Sequence, residues 1–160
     1  MSRLRKWRSL SWADRRLVLQ ATGMLVRARF RLPSIDFRPE PALAADAGSA
    51  SPEATMLPRA QAVARLVGMA AAVSPVAVAC LHRSLVLWSL LRREGIPCRL
   101  RLGAAETGTG PFEAHAWVEC AGVALNEPEA YLARYSPFGR AVVPVDRGWV
   151  RWRPTRRRPS

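Results

Sequence analysis

The sequence has almost no lysine, few cysteines and no long apolar run. Lys6 is the only lysine among 25 basic residues, so arginine carries nearly all of the formal net charge of +13. Three cysteines, an odd number, imply no disulfide framework and favour a reduced, cytoplasmic setting. Arginines interrupt the first helical segment, which argues against a membrane span, and the segment lacks the apolar core and cleavage site of a signal peptide.

Motifs that mark several function classes are also absent. The chain has no internal repeat, no P-loop and no dinucleotide-binding fingerprint. Cys98 and Cys120, together with His82 and His115, match no zinc spacing, so we expect no metal and no cofactor. Interleaved exposed aromatics are lacking, so a nucleic-acid-binding module ranks last among the functions considered. For the basic charge, a solvated surface and a functional patch both remain open.

The N-terminal part of the chain predicts helices joined by a linker. A helix begins at a capping box formed by Ser11 and Asp14 and ends at Pro33; a core helix is favoured over a membrane-surface helix. Residues 34–56, rich in Pro, Ala, Ser and Gly, predict an exposed linker, and Pro58 begins a second helix. The 160 residues then form one compact unit in three parts: an arm, helix and linker (1–56), a core (57–152) and a basic tail (153–160).

Cys80 lies at the start of a third predicted helix. Gly95 follows the helix as a residue suited to the left-handed conformation, and Pro97 prevents its continuation. In the first turn, unpaired backbone N–H groups and the positive end of the helix dipole favour a thiolate. The alternative is a buried, inert cysteine. The apolar residues that recur every three or four positions are Leu81, Leu85, Val86, Trp88, Leu90 and Leu91.

Alternating polar and apolar residues after this helix predict short strands. Ala121 and Gly122 suit a hairpin turn between two of the strands. The fold class is therefore α+β, with N-terminal helices and the Cys80 helix packed on a small antiparallel β-sheet. The predicted strands are 98–102, 114–119, 123–125, 141–145 and 149–152, with one helical turn within 130–135.

His115 and Glu127 lie on neighbouring parts of this predicted hairpin. Counting outward from the turn, His115 faces position 128, so a slip of one residue or a bulge brings it to Glu127. Cysteine, histidine and carboxylate are the residue types of a thiolate nucleophile, its base and the group that orients the base. Each residue alone also fits a non-catalytic interpretation, as a core cysteine, an edge histidine or a solvated carboxylate. Asn126 is an alternative partner for the histidine.

Two motifs carry a resemblance to a known family. They are CLHRS, beginning at Cys80, and AHAWVE, around His115, with the run from Leu90 to Gly103 between them. This stretch resembles the lasso-peptide leader peptidases, which belong to the transglutaminase-like, papain-related cysteine peptidases. The resemblance implies Cys80 as nucleophile, His115 as general base and acid, and the position of Glu127 as the orienting acid. The family often has Asp at that last position.

The resemblance also implies a substrate and partners. The expected reaction is hydrolysis of a ribosomally made precursor peptide between leader and core, before a separate lasso cyclase closes the ring. In related systems a small recognition domain binds the leader. The residues before the second helix lack the strands of such a domain, so we expect a separate leader-recognition protein. Acyl transfer to an amine by the same three residues, as in transglutaminases, is the alternative activity.

Overall fold

The computed structural model describes residues 7–40, 52–105 and 113–145. Three long helices pack against one another on one side of an antiparallel sheet. They are α1 (Trp12–Arg31), α2 (Pro52–Ala72) and α3 (Cys80–Arg93); a 3-10 turn (Leu32–Ser34) follows α1, and a short helix, α4 (Glu129–Leu132), lies near the C-terminal end. The α+β class predicted from the sequence is confirmed.

Local signals set the ends of α1 and α3. The Ser11 hydroxyl accepts a hydrogen bond from the Asp14 amide (3.1 Å) and caps α1, as the capping box predicts. At the end of α3, Gly95 has a φ of +74°. The Ile96 amide donates to the Leu91 carbonyl (2.9 Å), which satisfies a carbonyl that the helix leaves free. The turn therefore ends α3 at the predicted position and starts the chain toward the sheet.

The sheet consists of short antiparallel strands. They are β1 (Asp36–Pro39), β2 (Arg99–Ala105), β3 (Glu113–Cys120), β4 (Val123–Ala124), β5 (Ser136–Pro137) and β6 (Val142–Val145). Their order across the sheet is β1-β6-β2-β3-β4, and β5 pairs with β2 beside this path.

The hairpin of β3 and β4 has a two-residue turn. Ala121 and Gly122 both have positive φ, +50° and +75°, which matches the twist of the adjoining strands. Cys120 pairs with Val123, which is the register predicted from the turn. The backbone pairing extends to the Leu125 amide, which donates to the Val118 carbonyl (2.9 Å). Beyond this point the chain leaves β3.

The core lies between α3, the other two helices and one face of β2 and β3. Along β3, Ala116 and Val118 alternate with Trp117, so the two faces of the strand meet different surroundings. Trp117 belongs to a second, smaller cluster with Ala105 and Tyr135. Burying a leucine side chain fully contributes about 1.5–3 kcal/mol. The largest fully buried side chains include Leu25, Leu85, Leu87, Leu91, Leu100, Val63 and Val67.

Several predicted boundaries differ from those of the structure. The segment 34–56 is not wholly a linker, because it contains β1 and the start of α2. β1 is short and contains a proline, so its own sequence does not predict a strand. It is a strand because it pairs with β6. α2 begins at Pro52, and Pro58 lies inside it. Pro52 occupies the first helical position, which suits proline, whereas Pro58 is the seventh residue and lies beyond the first turn.

Other predictions concern residues beyond those described. The strand at 149–152 and the basic tail lie outside them, and the division at 1–56, 57–152 and 153–160 stays a prediction. None of the helices in the described part of the chain combines the length and the hydropathy that a membrane span requires.

Gly103 of β2 is a position where the sheet leaves no room for a side chain. It pairs with His115 of β3. A Cβ atom there would lie 2.8 Å from the Ser136 carbonyl oxygen and 2.9 Å from the Trp117 ring. The first is backbone of the paired strand β5 and the second is a buried ring, so neither can move away cheaply.

Gly103→Ala should lower the free energy of unfolding by about 1–3 kcal/mol, because it overpacks this site. Gly23→Ala, on an exposed part of α1 where a Cβ meets no atom within 4 Å, should instead raise it by about 0.5–1 kcal/mol through helix propensity. Urea denaturation of the two variants and the wild type measures both effects. A neutral Gly103→Ala would show that β2, β3 and β5 do not pack as described.

Candidate functional site

Cys80 is the first residue of α3, where backbone amides point outward. The residue before the helix is Ala79, whose side chain has no acceptor with which to cap it. The first hydrogen bond of the helix runs from the Arg83 amide to the Ala79 carbonyl (3.2 Å). The amides of Cys80, Leu81 and His82 therefore have no partner within the helix. The Cys80 thiol is partly exposed beside them.

The His82 side chain accepts a hydrogen bond at the start of the helix. Its Nδ1 atom accepts a hydrogen bond from the Ala79 amide (3.2 Å). Burial lowers the pKa of His82, and the positive charge of Arg29 lowers it further. A neutral imidazole is the form that can accept this hydrogen bond, so His82 acts here as a helix-capping acceptor.

One helical turn after Cys80, Ser84 links α3 to β3. The Ser84 hydroxyl donates to the Ala116 carbonyl (2.8 Å) and accepts from the Asn126 amide group (3.0 Å). The Asn126 side-chain oxygen in turn accepts from the Val118 amide (2.8 Å). Asn126 is thus engaged by β3 and by Ser84. In this arrangement it does not act as the partner of His115 that the sequence left open.

His115 and Glu127 come together beside this network. The His115 Nε2 atom lies 3.3 Å from the Glu127 Oε1 atom, and the two side chains are only 9% and 12% exposed. The alignment at Nε2 falls short of a hydrogen bond. Glu127 comes directly after Asn126, where the chain is no longer paired with β3. Because the chain has left the strand pairing, the Glu127 carboxylate can reach His115.

Arg83 binds the same carboxylate from α3. Its Nη2 atom donates to Oε1 of Glu127, and the arginine side chain is 30% exposed. Arg83 and Ser84 lie three and four positions after Cys80, on the same side of the helix. Both therefore bring the start of α3 to the residues around His115. Within the described residues, no hydrogen bond or ion pair joins the Cys80 thiol itself to His115.

The surroundings of His115 favour its neutral form. Burial lowers the pKa of His115, and the positive charge of Arg83 lowers it further. Glu113 raises the pKa in part, and Arg134 adds a smaller lowering effect. At neutral pH the imidazole is therefore mainly uncharged and able to take up a proton.

An aromatic wall, formed by Trp117, Tyr131 and Tyr135, surrounds the His115 ring. The Tyr135 ring stacks on it at a centroid distance of 4.9 Å, the Tyr131 ring meets it edge-on at 5.4 Å, and the Trp117 ring lies at 6.5 Å. These rings restrict the orientation of the imidazole. The sequence analysis missed both tyrosines, although their spacing of four residues around α4 was a signal that they share a face.

Glu113 and Arg134 hold the tyrosines in place. The Glu113 carboxylate accepts hydrogen bonds from Tyr135 and Arg134, and the Arg134 guanidinium lies 5.2 Å from the centroids of both tyrosine rings. The hydrogen bond from Tyr135 lowers the pKa of Glu113, and Arg134 lowers it further. Desolvation and the hydrogen bond to Glu113 raise the pKa of Tyr135, so its hydroxyl stays protonated as a donor.

A groove of about 440 Å³ adjoins the aromatic wall. Its lining includes Trp117 and Tyr135 from the wall, Leu132 of α4, and the carboxylates of Glu119 and Glu129. The Glu119 carboxylate already accepts two hydrogen bonds, one from Arg101 (3.0 Å) and one from the Trp117 indole (2.8 Å). The groove therefore combines apolar surface with negative charge, in a chain that is strongly basic overall.

The other two cysteines lie in the core. Cys98 and Cys120 are buried among the apolar residues between α3 and the sheet. Among the described residues, no group of three or more His, Cys, Asp or Glu side chains is arranged to hold a metal ion. Of the three thiols, Cys80 alone reaches the surface.

Comparison with known proteins places this geometry in a family. No curated protein and no solved structure matches the chain. A family model described as the transglutaminase-like superfamily matches residues 22–140, well over half of the 160 residues. The matched region contains the start of α3, the β3–β4 hairpin and Glu127, and members of this superfamily typically use a Cys-His-Asp site for peptidase or acyltransferase chemistry. The chain belongs to the transglutaminase-like superfamily.

Proposed function

We propose that the protein is a cysteine peptidase that removes the leader from a ribosomally made lasso-peptide precursor. Cys80 is the nucleophile, His115 the general base and acid, and Glu127 the group that orients His115. The observation that carries the proposal is the contact between His115 and Glu127 (3.3 Å) beside the start of α3, where Cys80 lies. The CLHRS and AHAWVE motifs, which resemble the leader peptidases, supply the substrate class.

The proposed roles of the two ring nitrogens of His115 follow from the groups that they face. Because Nε2 of His115 faces Glu127, Nδ1 is the nitrogen that takes the thiol proton. The Cys80 sulfur attacks the scissile carbonyl, and His115 returns the proton to the departing amine. A water molecule, activated by His115, then hydrolyses the thioester and releases the second product. The uncapped amides at the start of α3 are the expected donors to the oxyanion.

The groove beside the aromatic wall is the proposed binding site for the peptide. Trp117 and Tyr135 line the groove and also contact the His115 ring, so a chain lying there would reach the histidine. The apolar wall and the carboxylate of Glu129 suit apolar or basic side chains. The proposed reaction takes place in the cytoplasm, where a separate lasso cyclase would use the released core peptide.

Acyl transfer to an amine is the alternative, since the superfamily contains acyltransferases as well as peptidases. The two reactions share the acyl-enzyme and differ in what attacks it. Hydrolysis leaves a free carboxylate on the leader, whereas transfer leaves a new amide. Mass spectrometry of the products, with and without an added primary amine, distinguishes them.

A stripe on the outer face of α1 is the proposed docking surface for a leader-recognition protein. Trp12, Leu19 and Phe30 are 75%, 64% and 73% exposed, and their spacing of about two and three helical turns aligns them on one face. Arg16 and Arg27 lie exposed beside them. An apolar stripe next to arginines suits a partner surface with apolar residues flanked by carboxylates, and the arginine contribution would weaken with salt.

Loss of Cys80 should abolish cleavage of the precursor while the fold is retained. We expect no turnover from Cys80→Ala or Cys80→Ser, because no other thiol lies at the start of a helix. Cys98→Ala and Cys120→Ala should keep substantial activity, since both are core residues. Alkylation followed by peptide mass mapping should find the adduct on Cys80. An essential, labelled Cys98 or Cys120 would refute the assignment.

His115→Ala should reduce kcat/KM by about 10²–10⁴-fold, because it removes the general base. Glu127→Ala should cost less, since an orienting group fixes only the tautomer and angle of the imidazole. Glu127→Asp, which keeps the charge but shortens the side chain, should retain more activity than Glu127→Ala. Steady-state kinetics on the full precursor measure all three variants. Negligible losses in both Glu127 variants would remove this residue from the site.

Addition of the leader-recognition protein should accelerate cleavage of the full precursor by raising the local substrate concentration, without supplying a catalytic group. Leu19→Glu should reduce this acceleration and leave cleavage by the peptidase alone unchanged. Val73→Glu, at another exposed apolar residue outside α1, is the matched control. Cleavage rates at low and high salt give the readout. Full-rate cleavage without the partner would exclude a separate recognition protein.

A further inference from the structure

Three side chains from different parts of the fold meet at one oxygen atom. Glu127 Oε1 accepts from the Nη2 atom of Arg83 on α3, and it lies 3.3 Å from Nε2 of His115 on β3. The Nε atom of Arg83 and the Nε2 atom of His115 are both buried without a hydrogen-bond partner in the described part of the chain. Arg83 and His115 thus face the same carboxylate oxygen, and in this structure Arg83 is the residue that donates a hydrogen bond to it.

We propose that Arg83 is a positioning residue: it holds Glu127 as an ionised carboxylate against His115 and offsets the negative charge that would otherwise favour a protonated histidine in the resting enzyme. The role rests on the catalytic assignment proposed above and adds a fourth residue to it. Arg83 touches neither the substrate carbonyl nor the thiol in this scheme; it acts through Glu127.

The burial of Glu127 shows why it needs such a partner. Its side chain is only 12% exposed. A carboxylate removed from water without a compensating charge favours the protonated form, in which it is a poor acceptor for an imidazolium. Arg83 supplies the compensating charge from a fixed direction, because it lies on the first turns of a helix that Ser84 fastens to β3. Its planar guanidinium keeps the charge at every relevant pH.

The charges that face His115 come from each neighbouring element. Arg83 faces it from α3, Glu127 from the segment after β4, and Glu113 from β3 itself. Arg134, with the hydroxyl groups of Tyr131 and Tyr135, faces it from α4 and the residues after it. The charged groups form two ion pairs, Arg83 with Glu127 and Arg134 with Glu113, so neither carboxylate acts on the imidazole with its full charge.

The arrangement changes when the reaction starts. The proton leaves the Cys80 sulfur and arrives at Nδ1 of His115, so a thiolate and an imidazolium form and the total charge is conserved. The Nε2 proton of the imidazolium then needs an acceptor, and Glu127 Oε1 is already ionised at 3.3 Å. A small rotation of the carboxylate completes this hydrogen bond. Glu127, which Arg83 holds ionised and in place, thereby supplies the acceptor that the histidine cation needs.

Loss of Arg83 and loss of Glu127 should shift the pKa of His115 in opposite directions. In Arg83→Gln, the His115 imidazolium becomes the only cation that can pair with Glu127, so the pair retains its proton to higher pH and the pKa of His115 should rise. In Glu127→Gln, the arginine charge is uncompensated, so the pKa of His115 should fall further. A simple structural clamp between α3 and the hairpin would lower the stability of both variants but would not produce shifts of opposite sign.

The chain contains only two histidines, His82 and His115, so both ring signals can be followed directly. The experiment is a pH titration of the histidine ring carbon-bound protons by NMR in the full chain, with His82→Gln to assign the signals. We expect an upward shift for His115 in Arg83→Gln and a downward shift in Glu127→Gln. Arg101→Gln breaks another partly buried Arg–Glu pair in the sheet and should leave the His115 titration unchanged.

Kinetics supply the second readout. Arg83→Gln should lower kcat/KM by about 10- to 100-fold, a part of what a general base contributes, and move its acid limb to higher pH. Arg83→Lys keeps the charge and should keep the acid limb closer to that of the wild type. An unmoved or lowered His115 pKa in Arg83→Gln would overturn the proposal; if that variant does not fold, an unmoved or raised pKa in Glu127→Gln would do the same. The predicted shifts in a protein without peptidase activity would support the positioning role and refute the proposed function.

Discussion

One buried hydroxyl group connects the helical side of this protein to its sheet. The Ser84 hydroxyl is fully buried and joins the Ala116 carbonyl to the Asn126 side chain. Leaving buried polar groups such as these unsatisfied costs about 1–3 kcal/mol each, so the link holds α3 at one position along β3. Cys80 lies one helical turn before Ser84, His115 directly before Ala116, and Glu127 directly after Asn126. Each proposed catalytic residue is therefore placed by a different end of the same network.

The parts of the fold that the sequence predicts best are those with local causes. The end of α3 follows from Gly95 and Pro97, and the register of the β3–β4 hairpin follows from a two-residue turn with positive φ at both positions, which Gly122 favours. Both signals lie within a few residues of the structure that they determine. The same locality explains why the start of α3 at Cys80 could be predicted from the apolar spacing alone.

Elements with distant causes escaped the sequence analysis. β1 and β5 are strands only because β6 and β2 pair with them, and nothing within either short segment signals this. The same holds at the site, where Tyr131 reaches His115 from a helix of four residues and Tyr135 from the segment after it. Arg83 stood in a recognised motif, but its partner lies 44 positions along the chain. Contacts across such separations depend on the packing of the whole sheet.

Ala79 has a consequence for attempts to make this protein more robust. A serine or aspartate before α3 would cap its open amides, a change that commonly gains about 0.5–2 kcal/mol. That same oxygen would lie against the amides next to the Cys80 thiol and would compete with any substrate atom for them. Selection for thermal tolerance alone would thus favour a chain that blocks its own proposed oxyanion donors. In the proposed mechanism, the weak start of α3 is a trade-off between stability and amides that stay open to the substrate.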